Sequence, residues 1–110
     1  MNIKQYINAL RGKKVAVIGV GVSNTPLIRL LLDNGIYVTA RDKNERNKFG
    51  SLADELESMG ARLCLGSEYL ENLDEDVIFK TPGLRPDIPE LTAARERGSI
   101  VTSEMEAFFE

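Results

Sequence analysis

The chain has no histidine, no tryptophan and a single cysteine, Cys64. Without histidine it cannot supply a histidine general base, a serine–histidine triad or a histidine-ligated metal. One cysteine excludes both an internal disulfide and a thiolate metal cluster within these 110 residues. We therefore expect no metal site and no catalytic residue here, and we interpret Cys64 as a small buried residue on a strand.

Long apolar runs and an excess of basic residues are also missing. No apolar run approaches the roughly 20 residues that a membrane helix needs, and the N-terminus lacks a signal-peptide core. The net charge of −3 provides no basic field for nucleic acid. The ATP-binding pattern G-x-x-x-x-G-K-[ST] does not occur. These absences favour a cytoplasmic domain whose partner is a small molecule, with no nucleic acid and no membrane involved.

The most informative stretch that is present runs from Lys14 to Pro26. An apolar strand leads into Gly19 and Gly21, and polar residues follow. This pattern is typical of a buried parallel strand that turns tightly into a helix. Pro26 has no N–H and fits only the first turn of that helix. The free amides before it predict an anion site, most plausibly for phosphate, and they belong to Val22, Ser23, Asn24 and Thr25.

Apolar strand segments alternate with helical segments along the whole chain. The predicted strands cover residues 14–19, 36–41, 61–65, 76–80 and 99–102. The predicted helices cover residues 2–10, 26–34, 51–59 and 87–97, and another begins near 104. Asp87 is the expected cap of the fourth helix, and a single helical turn is expected within 66–76. The alternation predicts an α/β, Rossmann-like three-layer fold with about five parallel strands in the order 3-2-1-4-5 and helices on both faces.

Two more segments are predicted at the carboxyl edge of this sheet. Asp42 ends the second strand, about 20 residues beyond Gly21, where doubly wound folds place a carboxylate that reads the sugar or base of a nucleotide. The fourth strand ends in Thr81, Pro82 and Gly83. That loop should face the glycine turn across the crevice in which open α/β sheets bind ligands, and Gly83 permits close approach of the backbone.

These segments together resemble a known family. The resemblance is carried by VAVIGVGVSN at 15–24, RDK at 41–43, KTPGL at 80–84 and VTSEME at 101–106. In this combination the chain resembles the N-terminal domain of the Mur ligases, specifically the branch of UDP-N-acetylmuramoyl-L-alanine:D-glutamate ligases. The match covers essentially all 110 residues. The Thr-Pro-Gly loop together with Asp42 favours this branch over the alanine-adding one.

The resemblance implies that residues 1–110 form one domain that binds the UDP part of UDP-N-acetylmuramoyl-L-alanine. In the parent ligase a central domain would bind ATP and a C-terminal domain the incoming D-glutamate, with Mg²⁺ required. The substrate carboxylate is activated as an acyl phosphate and attacked by the amine, which extends a peptidoglycan precursor. The chain is then an excised N-terminal domain, monomeric, without a cofactor of its own and non-catalytic alone, whose partners are its own missing domains.

The resemblance also implies roles for individual residues. Val22 and Ser23 match the positions that contact the diphosphate, and Asp42 with Lys43 match the pair that reads uracil. The full expected site consists of Gly19, Gly21, Val22, Ser23, Asn24, Asp42, Lys43, Thr81, Pro82 and Gly83. Two positions depart from the family pattern. Asn24 stands where glycine is frequent, and Asn44 stands where some members carry an arginine.

Two other functions are compatible with the same fold. An NAD-binding regulatory module would use Gly19, Gly21 and Asp42 as well, with Asp42 on the ribose hydroxyls of adenosine. Asn24 argues against it, because the third position of a dinucleotide fingerprint calls for glycine. The Thr81–Gly83 loop is the second feature that favours the UDP site over NAD. The other alternative is a scaffold without a ligand that acts through protein contacts.

Overall fold

The computed structural model describes residues 3–19, 25–80 and 87–102. Its strands are β1 (Lys14–Ile18), β2 (Tyr37–Asp42), β3 (Arg62–Leu65), β4 (Val77–Phe79) and β5 (Ile100–Thr102). These five strands are all parallel and lie in the order β3-β2-β1-β4-β5, which confirms the predicted topology. The helices are α1 (Ile3–Leu10), α2 (Thr25–Asp33), α3 (Ser51–Ser58) and α4 (Pro89–Arg97).

The central strand β1 pairs with β2 along one edge and with β4 along the other, and it is apolar on both faces because both faces of the sheet are covered. Val15 and Val17 pack beneath α1, α2 and α3, where Ile28 and Leu56 are fully buried. The opposite face, which includes Ala16, packs against α4 and the long connection between β3 and β4. Helices therefore cover both faces, as predicted.

The start of α4 differs from the prediction. The helix begins at Pro89 with Ile88 in the N-cap position, so Asp87 is not its cap. Ile88 has φ −65° and ψ 148°, because a residue before proline is pushed out of the helical region. Pro89 fits the first helical position, where no N–H is needed. Proline chemistry thus outweighed the capping preference of the aspartate.

The connection between β3 and β4 contains turns in place of the predicted single helical turn. The Tyr69 N–H donates to the Gly66 carbonyl at 3.2 Å, and the Glu71 N–H donates to the Glu68 carbonyl at 3.0 Å. A short 3-10 turn at Arg46–Lys48 was not predicted. The helix predicted after residue 103 lies outside the described residues. Within the described ranges, none of the helices has the length and apolar content needed to span a bilayer.

Candidate functional site

The carboxyl ends of the parallel strands share one edge of the sheet, and Gly19 stands at its middle. This residue follows β1 directly, and its N–H donates to the Arg41 carbonyl at 2.6 Å. Its φ of 97° lies in the left-handed region that favours glycine. The chain therefore turns out of β1 immediately beside the end of β2, where Arg41 and Asp42 stand.

Asp42 is the last residue of β2, and only 8% of it is exposed. Its Oδ1 accepts the Asn44 N–H at 2.8 Å, which closes a turn typical of aspartate. Its carbonyl accepts the Gly66 N–H at 3.0 Å. The bond from Asn44 thus holds the carboxylate at the end of β2.

Among the other predicted site residues, Lys43 is described and exposed. β4, which the Thr81–Gly83 segment follows in the sequence, ends beside β1, because Phe79 pairs with Val17. These candidates and those of the glycine turn lie outside the described residues, and their roles stay predictions. They are Gly21, Val22, Ser23, Asn24, Thr81, Pro82 and Gly83.

The structure adds a buried ion pair beside Asp42 that the sequence analysis missed. The guanidinium of Arg41 donates from Nη2 to Glu75 Oε1 at 2.7 Å and from Nε to the same oxygen at 3.1 Å. The two side chains are only 5% and 3% exposed. The sequence does contain a signal for this pair. Arg41 lies within a strand that is otherwise largely apolar, and a buried arginine requires an acceptor nearby.

The Arg41 guanidinium also holds the backbone of the β3–β4 connection. Nη1 donates to the carbonyls of Tyr69 and Glu71, both at 2.9 Å, and Nη2 donates to the Asn72 carbonyl at 3.2 Å. Arginine has five N–H donors, so these three bonds and the two to Glu75 provide an acceptor for each donor. We call Arg41, Glu75 and the connection 69–75 around them the Arg41 anchor.

Cys64 is half-buried, which corrects the prediction that it is a buried strand residue. It lies on β3, an edge strand, beside a cleft of about 580 Å³. The cleft leaves the thiol partly open, and its Sγ is 3.7 Å from Arg41 Nη1. Thr39, Arg41, Arg62 and Glu71 also line this cleft, whereas Gly19, Asp42 and Lys43 do not.

A second arginine forms ion pairs on the surface, just beyond the strand end. Arg46 contacts Asp54 and Glu57 on α3, and all three side chains are exposed. The hydrogen bond from Arg46 lowers the pKa of Glu57 below its ordinary value. The same contacts, first that to Glu57, raise the pKa of Arg46. This group ties the β2–α3 connection to α3.

Comparison with known proteins agrees with this architecture. A family model described as Mur ligase MurD-like, N-terminal domain, matches residues 13–103. A UDP-N-acetylmuramoylalanine–D-glutamate ligase of Clostridium botulinum is 52% identical over 108 residues, which is 97% of this chain and 24% of that protein. The corresponding ligase of Acetivibrio thermocellus is 47% identical over 113 residues, covering 100% of this chain and 24% of that protein. The chain thus spans about a quarter of the length of these relatives.

A solved structure supports the fold alone. The chain superposes on a shikimate 5-dehydrogenase from Mycobacterium fortuitum with a TM-score of 0.53, covering 88% of this chain and 47% of that one. The two sequences are 16% identical. This similarity indicates a Rossmann-like arrangement and carries no information on the ligand.

Proposed function

The chain belongs to the family of Mur ligase MurD-like N-terminal domains, and from this premise we propose that it binds the UDP part of UDP-N-acetylmuramoyl-L-alanine. The name of its relatives, UDP-N-acetylmuramoylalanine–D-glutamate ligase, supplies the substrate class. The single observation that carries the proposal is the position of Asp42 at the carboxyl end of β2, next to the strand end that leads into the glycine turn. Ligands of open α/β sheets bind at this edge.

We propose that the diphosphate is bound by backbone amides that follow β1. The N–H of Gly19 is already engaged by the Arg41 carbonyl, so Gly19 contributes the turn and not a donor. The donors in this proposal are the amides of Val22, Ser23 and Asn24, with the Ser23 hydroxyl beside them. Amides at the start of a helix attract an anion without any basic side chain, which suits a chain of net charge −3.

Uracil is assigned to Asp42 and Lys43. The imide N3–H of uracil is a donor, and the Asp42 carboxylate is an acceptor that the Asn44 bond holds at the strand end. The Lys43 N–H would donate to a ring carbonyl. Thr81, Pro82 and Gly83 would close the other side of the nucleotide, and Gly21 would let it approach the turn closely.

The role in the whole protein follows as a further part of the proposal. The chain would be the substrate-binding domain of a cytoplasmic, monomeric ligase that adds D-glutamate to a peptidoglycan precursor. ATP and Mg²⁺ would be bound by a central domain, and the amino acid by a C-terminal one. We expect no ligation from the 110-residue chain alone, because it spans about a quarter of its relatives.

Titration calorimetry with three ligands tests the assignment. We expect UDP and UDP-N-acetylmuramoyl-L-alanine to bind the purified chain and NAD not to bind. Both uridine ligands share the diphosphate and the base, so each should compete with the other. Binding of NAD without binding of either uridine ligand would overturn the proposal in favour of a dinucleotide module.

The substitution Asp42→Ala tests the base contact. It should weaken UDP binding by about 1–3 kcal/mol, because the N3–H of uracil would lose its acceptor on leaving water. The matched control is Asp33→Ala, since Asp33 is an exposed aspartate at the end of α2, on the opposite edge of the sheet. The control should bind UDP as the unmodified chain does. An unchanged affinity of the Asp42 variant would place the base elsewhere.

A further inference from the structure

We propose that Arg41 and Glu75 are positioning residues for uracil recognition, and that the Arg41 anchor fixes the place of the Asp42 carboxylate. This inference rests on the proposed function, since it concerns how the base is read at the end of β2. Neither side chain is assigned a contact with the ligand. Their effect on the ligand passes through the backbone and through Asp42.

The first observation is that the oxygens bound by the Arg41 guanidinium all belong to one segment. Every one of its N–H donors meets an oxygen of residues 69–75 at 2.7–3.2 Å. Three of these oxygens are backbone carbonyls. The guanidinium therefore fixes the position of the backbone in this segment as well as that of the Glu75 side chain. Asn72, one of the three, has φ 54°, a backbone conformation uncommon outside glycine. The connection therefore follows a path that the arginine helps to impose.

The second observation is the electrostatic cost of the pair. Oε2 of Glu75 is buried and has no hydrogen-bond partner among the described residues, while Oε1 accepts both bonds from Arg41. Buried ion pairs with such an unsatisfied atom rarely stabilise a fold more than an apolar pair of the same volume. Stability alone therefore does not explain the arrangement. A fixed geometry at this point is the role that our proposal gives to the pair.

The third observation links the Arg41 anchor to Asp42. Arg41 and Asp42 are adjacent in β2, and the Asp42 carbonyl accepts the N–H of Gly66, the residue from which the connection departs. Asp42 also pairs with Leu65 at the end of β3, an edge strand of four residues. Among the described residues only β2 flanks this strand, so the segment after β3 is tied back to the sheet by the Arg41 anchor together with the apolar packing of Leu73. Loss of the Arg41 anchor would loosen the backbone on the outer side of Asp42.

The fourth observation links the same residue to the glycine turn. The Arg41 carbonyl accepts the N–H of Gly19, the residue at which the proposed diphosphate site begins. The next residue, Asp42, is the one proposed to bind uracil. Arg41 is therefore connected to both halves of the proposed site. A displacement at the end of β2 would change the distance between the two halves of the site. The effect on discrimination should arise at the half that reads the base, because hydrogen bonds depend steeply on distance and angle and only that half meets the atoms in which one base differs from another.

The experiment measures discrimination between UDP and CDP by titration calorimetry. Cytosine has an acceptor at N3 where uracil has a donor, so a correctly placed Asp42 carboxylate favours UDP and opposes CDP. The test variant is Arg41→Met with Glu75→Leu, which removes both charges together. The matched control is Arg62→Met with Glu68→Leu, a pair of exposed residues that line the neighbouring cleft and lie outside the Arg41 anchor. Both doubles leave the net charge unchanged.

We expect the unmodified chain and the control to prefer UDP over CDP by about tenfold or more, the ratio that follows when a buried hydrogen bond loses its partner. In the test variant the ratio should fall towards one while circular dichroism and thermal unfolding report a folded chain. A role in stability alone would lower both affinities equally and leave the ratio intact. Glu75→Gln keeps the shape of the side chain and should give an intermediate ratio.

The outcomes separate this inference from the proposed function. If the unmodified chain shows no preference for UDP, the assignment of uracil to Asp42 is wrong and the inference falls with it. If the unmodified chain discriminates and the folded double variant discriminates equally well, the proposed function stands and the positioning role is overturned. Should the double variant not fold, the UDP-to-CDP ratio of Glu75→Gln replaces it in the test. A lowered ratio supports the positioning role, and a ratio equal to that of the unmodified chain overturns it.

Discussion

Two arginines five positions apart, Arg41 and Arg46, use the same ion-pair chemistry in opposite surroundings. The side chain of Arg41 is 5% exposed and meets one carboxylate and three carbonyls. The side chain of Arg46 is 47% exposed and meets two carboxylates on a helix surface. Water can replace the partners of Arg46 at little cost, whereas nothing replaces those of Arg41.

The difference explains what each group can do for the fold. An exposed pair is screened by salt and costs side-chain entropy, so it adjusts stability slightly and fixes little. A buried pair is costly unless its hydrogen bonds have good geometry, so it constrains the segments that supply its acceptors. The Arg41 anchor therefore shapes the edge of the sheet that carries the proposed site, and the Arg46 group does not.

Removing the buried guanidinium should have the largest effect. We expect Arg41→Met to lower the free energy of unfolding by about 3–5 kcal/mol, because Glu75 is left as an unpaired buried charge. Urea unfolding followed by circular dichroism measures the change. Arg46→Met serves as the control and should lose far less. Equal losses in the two variants would contradict the contrast between them.

Removing both members of the buried pair should have a smaller effect than removing one. Arg41→Met combined with Glu75→Leu should return the free energy of unfolding to within about 1 kcal/mol of the unmodified chain, since no charge remains buried. The same urea titration measures it. A double variant as unstable as Arg41→Met alone would show that the guanidinium contributes chiefly through the three carbonyls and not through Glu75.

The smallest effect is expected at the surface, as a dependence on pH. The pKa of Glu57 is lowered by Arg46, so its contribution is present above the ordinary carboxyl pKa and is lost as the pH falls through the lowered value. Glu57→Gln should thus be slightly less stable than the unmodified chain at pH 7 and equal to it in acid. Salt near 1 M should also abolish the difference. A difference that persists in acid or in salt would contradict this account.

Much of the fold follows from local patterns along the chain. The apolar run of β1 is readable because helices cover both faces of a parallel sheet, and the alternation of strands with helices then favours parallel pairing and the observed strand order. The position of Asp42 at a strand end is equally local, and the structure places it there. Its use in reading a base stays a prediction.

The remaining features depend on contacts that local patterns do not contain. Arg41 and Glu75 are 34 residues apart, and neither neighbourhood shows that they meet. The half-burial of Cys64 follows from its place on an edge strand beside the cleft, which composition does not reveal. At Asp87 the prediction was wrong for a local reason, because Pro89 keeps Ile88 out of the helical region and the helix begins only after it.

The central claim is that UDP binds at the carboxyl edge of the sheet, between the end of β1 and Asp42. A titration of the ¹⁵N-labelled chain with UDP, followed by amide NMR, tests it most directly. We predict that the amide resonances of Gly19, Lys43 and Asn44 shift in proportion to occupancy, while those of Asp33 and Tyr37 at the opposite edge do not move. Shifts confined to the opposite edge, or to the cleft beside Cys64, would contradict the claim.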